Sequence, residues 1–157
     1  MENWEHKLSL ELKDKVIKAL ITRKKEKLTK LREQQVELIG NANLDDIDYQ
    51  DLVESPREAM MAEMESNAGI LDNLRQEIDS LELLNSSRLH RTVAKGALIR
   101  MNTGLYLIAV GEPKWNVEGI EVTGISMESP LFKKMEGNSA HTEFHLQNME
   151  YFILEII

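Results

Sequence analysis

GNANLDDIDYQDLVESPRE, Gly40 to Glu58, separates two long segments of helical periodicity. Before Arg57 it holds five acids, Asp45, Asp46, Asp48, Asp51 and Glu54, and no Lys or Arg. Charges this close repel one another, and nothing local neutralises them. An acid run of this kind is commonly the solvated connection between two helices. Carried at the end of a stalk, the same carboxylates can instead be presented to a cation held elsewhere. The flanking segments set up that choice.

Leu8 to Ile39 contains neither Pro nor Gly. Ile21, Lys24, Leu28, Leu31, Gln35 and Leu38 recur in alternating steps of three and four, a heptad seam with two polar members. Gly40-Asn41 is expected to end this helix, since both residues tolerate the left-handed cap conformation. On the far side, Ser55-Pro56-Arg57-Glu58 reads as a capping box with proline at the first helical position. Met64, Asn67, Leu71, Leu74, Ile78 and Leu81 then repeat the alternation until Asn85-Ser86-Ser87 closes the segment. Two helices of roughly 30 residues, each about 45 Å long, joined by one short connection, predict an antiparallel coiled-coil hairpin. Lys24, Gln35 and Asn67 would set its register. Arg23, Lys24, Lys25, Lys27, Lys30 and Arg32 crowd ten residues of the first helix. They read either as a solvated face with i,i+4 pairs or as a patch for a nucleic-acid strand, with Arg23, Lys24, Lys27 and Lys30 the candidate RNA contacts.

Beyond Arg91 the period drops to two. Gly96–Met101 and Leu105–Val110 flank Asn102-Thr103-Gly104 as a hairpin. Further strands fit 115–117, 119–125, 140–146 and 150–157. Ser129-Pro130 opens a short capped helix that ends at Gly137. The expected class is α+β, five or six strands packed on one short helix. Residues 1–88 form the hairpin, with its acidic tip at 41–54, and residues 89–157 form the sheet domain.

Composition narrows the function. The 157 residues carry a net charge of −8, which excludes a general nucleic-acid binder that works by neutralising many phosphates. No apolar run reaches the ~18 residues of a membrane span, and the N-terminus is not a secretory signal. With no cysteine, thiol catalysis and Cys-ligated zinc are excluded. These features fit a cytoplasmic protein with no membrane partner. His141 and His145 lie on one strand face about 13 Å apart, too far to share an ion. His6 and His90 have no visible partners, and no nucleophile motif frames an enzyme site.

Gly124-Ile125-Ser126-Met127-Glu128-Ser129-Pro130-Leu131 resembles the I-S-x-x-S-P-L/I stretch of the Gre-type transcription elongation factors (GreA and GreB). Lys133 and Gly137 keep that family's spacing, and Tyr151–Ile156 is similar to its final strand. The resemblance implies an FKBP-like C-terminal domain that docks on RNA polymerase at the rim of its secondary channel, with Ser129, Pro130 and Leu131 at the docking surface. It implies that the coiled coil enters the channel and meets the 3′ end of the nascent RNA. Tip carboxylates then help hold a magnesium shared with the polymerase, whose own active site cleaves backtracked RNA. The metal is not held by this chain alone, and the chain is an accessory factor, not an enzyme. The family's D-x-x-E tip matches Asp48 and Asp51, with Glu54 at the next step and Asp45 and Asp46 as extra acids. Departures are clear: Asp51 is a methylene shorter than glutamate, Pro56 follows the tip closely, and the family's G-K-x-x-G-D turn is lost at Gly137–Thr142. The expected activity is stimulation of RNA cleavage. The alternative is a Gre-like channel binder that modulates or inhibits the polymerase without cleavage.

Overall fold

The computed structural model describes the backbone of residues 7–45 and 54–157, and the side chains of residues 7–40 and 58–157. The elements in chain order are α1 (Leu10–Asp45), α2 (Glu54–Glu82), β1 (Leu98–Met101), β2 (Gly104–Ala109), β3 (Glu112–Val117), β4 (Ile120–Ser126), α3 (Pro130–Met135), β5 (Glu143–Leu146) and β6 (Met149–Ile156). Contacts group them into two units: Met1–Ile21 with Ser80–Ile157, and Thr22–Asp79. The period of the sequence changes near residue 88. The contacts divide the chain elsewhere, because the first turns of α1 belong to the core of the sheet.

In the unit Thr22–Asp79, α1 and α2 pair along the seam that the heptad pattern marks. Leu28, Leu71, Leu74 and Ile78 are buried against one another with Leu31 beside them, and this apolar contact holds helices that would be marginal alone. Lys24 sits in the same seam, 4% exposed, with its Nζ 2.7 Å from Glu77 Oε2. Two expectations at the helix ends are corrected. Gly40-Asn41 does not stop α1, which continues to Asp45. Glycine in a helix interior costs only about 1 kcal/mol, and a long helix carries that. At the other end α2 starts at Glu54, so Ser55 lies inside the helix and is not its N-cap. Pro56 falls within the first turn, where backbone N–H groups have no acceptor anyway.

The other unit is built on a six-stranded sheet of order β3-β4-β2-β1-β6-β5. β2 and β4 pair parallel, and the remaining neighbours pair antiparallel. Two hairpins turn on paired positive-φ residues, Glu118-Gly119 (52° and 83°) between β3 and β4, and Gln147-Asn148 (50° and 64°) between β5 and β6. Such turns match the twist of the flanking strands. Since β3 lies outside β4, the step Val110-Gly111 must carry the chain across β4. The crossing passes directly over Gly124. A Cβ there would collide with the Val110 carbonyl oxygen and stand 2.9 Å from the Glu112 nitrogen. The sheet closes only with glycine at this position.

Both faces of the sheet are covered, where the sequence suggests cover from one short helix. On one face Leu98, Leu107, Trp115 and Val122 pack against Leu12, Val16, Ile17 and Leu20 of α1 and Leu81 of α2. On the other, Ile99, Met101, Ile108 and Ile153 pack against Phe132 and Met135 of α3. Neighbouring residues such as Leu98 and Ile99, or Leu107 and Ile108, therefore point into different cores. That accounts for the apolar run Leu105–Ala109 of β2 and the adjacent Leu98-Ile99 of β1, since strands buried on both faces do not alternate with polar residues. Ser9 caps α1, its Oγ accepting from the Leu12 N–H at 3.1 Å. Among the described residues no helix is long and apolar enough to cross a membrane.

Candidate functional site

The acidic tip falls mostly outside the described residues: Asp46, Asp48 and Asp51 lie there. Asp45 is the last helical residue of α1 and Glu54 the first of α2, described by backbone alone. The tip acids are thus bracketed by two helix ends. Among the described residues no group of three His, Cys, Asp or Glu is placed to hold a metal ion.

The serine-proline segment is fully described. β4 ends at Ser126, whose carbonyl accepts from the Ser129 N–H at 3.1 Å and so closes a turn. Ser129, extended at φ −64° and ψ 139°, is the N-cap of α3: its Oγ accepts from the Leu131 N–H at 3.1 Å. Pro130 takes the first helical position, where it surrenders no hydrogen bond. Leu131 turns its side chain against the core beneath α3, and Met127, Glu128 and Pro130 remain exposed. The motif therefore has a structural reason of its own, a strand handing over to a capped helix. Its surface is supplied by Met127, Glu128 and Pro130, so of the three expected docking residues Pro130 is exposed while Ser129 and Leu131 are half-buried.

The basic run of α1 divides. Arg23, Lys27 and Lys30 are exposed, while Lys24 is turned inward to Glu77. A buried cation paired at 2.7 Å is part of the helix pairing and is not presented to a nucleic-acid strand. His141 and His145 are exposed on the surface; His145 Nε2 lies 3.9 Å from Glu150 Oε1.

The fold also assembles a buried basic cluster that the sequence reading does not anticipate. Lys13 is fully buried, and its Nζ donates to the Arg88 carbonyl at 2.7 Å, to His90 Nδ1 at 3.0 Å and to the Ile157 carbonyl at 3.3 Å. His90, expected to have no partner, is thus held by Lys13. Desolvation first, and then the Arg88 charge, lower the Lys13 pKa to about 8. Burial, with the charges of Lys13 and Arg88, likewise pushes His90 below its usual value. One signal is legible: Lys13 shares the apolar stripe of Val16, Ile17 and Leu20 at helical spacing. A lysine on that stripe must either reach out or find acceptors inside.

No family model matches the chain, and no curated protein matches it. Solved structures with a similar arrangement include the transcription factor Gfh1, 16% identical, covering 87% of this chain and 92% of that one at a TM-score of 0.36. Also similar are GreA factor homolog 1 of Thermus thermophilus (15% identity, 87% and 94% covered, TM-score 0.32) and Gfh1 of Thermus aquaticus (17%, 86% and 92%, 0.30). One expectation is corrected at this point. These structures are of a GreA factor homologue, not of GreA or GreB, and the reading in which this chain stimulates RNA cleavage is withdrawn. What the chain shares with them, at low identity and over most of its length, is the Gre-type order of elements: paired helices followed by a mixed β-sheet.

Proposed function

We propose that this protein is a Gre-like factor that binds RNA polymerase at its secondary channel and modulates or inhibits it without promoting RNA cleavage. In this reading the chain works in two parts. The sheet part, residues 89–157, is FKBP-like and docks at the channel rim through the exposed surface around Pro130, with Met127 and Glu128 beside it. The hairpin part, the paired helices of Thr22–Asp79, enters the channel and carries the acids between α1 and α2 toward the polymerase magnesium. The observation that carries the reading is the Gly124–Leu131 segment, which resembles the family motif and here forms the end of β4, a tight turn and the capped start of α3.

Residue chemistry favours modulation over cleavage. Magnesium takes oxygen ligands in a strict octahedron and keeps several waters, so a carboxylate must reach it at a defined distance to orient an attacking water. Asp51, a methylene shorter than the family's glutamate, has less reach. A cluster of acids near the metal can still compete for it electrostatically and hinder nucleotide addition. Arg23, Lys27 and Lys30 would lie along the RNA 3′ end, with Lys24 reserved for the helix pair.

The absence of cysteine from the sequence makes a direct test simple. Single-cysteine variants Asp48→Cys and Glu128→Cys, each carrying a photo-crosslinker, are mixed with RNA polymerase. The reading expects the first to crosslink beside the catalytic centre and the second at the channel entrance. Crosslinks of both variants to one outer surface, or to none, would remove it.

A further inference from the structure

Between the end of α2 and the start of β1 lies a cleft of about 290 Å³, lined by Ser80, Leu83, Leu84, Asn85, Arg88, His90, Lys95 and Gly96. This is near the lower end of the range for small-ligand sites, roughly 300 Å³ and above. The polymerase reading does not use it.

Its charge is one-sided. Arg88 and Lys95 are exposed at the wall, His90 is half-buried between them, and Lys13 stands behind His90 at 3.0 Å. Two acids of neighbouring elements are engaged with other groups: Asp14 holds Lys18 and accepts from Ser86, and Glu155 faces Arg100. Among the described residues no Asp or Glu side chain pairs with Lys13, Arg88 or Lys95, in a protein whose net charge is −8. Three cations gathered beside one cleft, with no acidic side chain paired to them, repel one another. The lowered pKa values of Lys13 and His90 express burial first; the Arg88 charge then lowers Lys13, and the charges of Lys13 and Arg88 lower His90. An anion in the cleft would relieve that repulsion.

We propose that this cleft binds a phosphate group. A dianion matches the gathered charge better than a monovalent carboxylate does, and a guanidinium beside an ammonium presents the donors that phosphate oxygens accept. Asn85 and Ser80 add neutral hydrogen-bonding groups at the rim. Gly96, at φ +90°, keeps the floor open: a Cβ there would stand 3.4 Å from Leu84 Cδ2 and 3.6 Å from His90 Cε1. Leu83, 85% exposed, flanks the opening with apolar surface on which the organic part of a phosphate ester can rest.

The test is an NMR titration of the full chain with inorganic phosphate at constant ionic strength, read on the imidazole signals of the four histidines. The expected result is a saturable shift of His90 while His141 and His145 stay still. In the variant Arg88→Gln/Lys95→Gln, affinity should fall by about tenfold or more. Both side chains are exposed, so unchanged amide signals of β1 and β2 certify the fold. Parallel titrations with adenosine monophosphate and with acetate distinguish the sources. Tighter binding of the nucleotide assigns the cleft to a phosphate ester, equal binding to free phosphate, and acetate should bind more weakly than either. A linear response, equal shifts at His141 and His145, an unaffected variant, or acetate binding as tightly as phosphate would each overturn the proposal.

Discussion

Lys13 brings a charge into a core otherwise made of Leu8, Leu12, Val16, Ile17 and Leu20. Burial of an ammonium is tolerated because three acceptors meet it, two of them backbone carbonyls. The cost shows in its pKa, lowered to about 8 from 10.5. Below pH 8 the folded and the unfolded chain both carry the proton, and the penalty is complete. Between pH 8 and 10.5 the folded chain sheds a proton that the unfolded chain keeps, so stability rises with pH across that window. Relative to the variant Lys13→Met, the natural protein should gain at most roughly 3 kcal/mol over the window. Denaturant unfolding at a series of pH values checks this; parallel profiles would refute it. At this scale the sequence is partly legible. The stripe position of Lys13 and the glycine of the Gly124–Leu131 segment can both be picked out by eye. Their reasons cannot, because His90, Ile157 and Val110 are brought to them only by the fold.

At the scale of elements, periodicity carries the most. Leu28, Leu71, Leu74 and Ile78 are buried where the heptads place them, because the α1–α2 seam is set by local spacing alone. Helix ends read less well. Gly40-Asn41 resembles a stop, yet α1 runs on to Asp45. A glycine that ends a helix needs positive φ, whereas one inside it only weakens it. Gly40 is exposed, keeps a negative φ, and has nothing within 4 Å of the place a Cβ would take. Replacing Gly40 by Ala should therefore stabilise the hairpin by up to about 1 kcal/mol, raising its melting temperature. A loss of stability would mean that the helix ends there after all. The sheet shows a different limit. Its strands are legible as apolar runs bounded by turns, but the burial of both faces is not, since a strand's own residues do not tell which helix will cover it.

For the whole molecule, a resemblance in sequence meets a fold of the same order of elements. Paired helices, a mixed sheet and the capped turn at Ser129 all come from segments whose residues suggest them. The acids from Asp45 to Glu54 are different, since in the proposed function their effect would depend on a magnesium that another protein holds and on fractions of an ångström in reach. Neither hydrophobic pattern nor charge count contains that information. Under the proposed function, the choice between stimulating and modulating the polymerase is accordingly the least legible part of the chain. It is decided most directly by one assay on purified RNA polymerase, halted in a backtracked complex and also followed during elongation. A modulating factor slows nucleotide addition while RNA cleavage stays at or below the factor-free rate, and Asp48→Ala/Asp51→Ala relieves the slowing without loss of binding. A magnesium-dependent rise in RNA cleavage, abolished by the same substitutions, would contradict this.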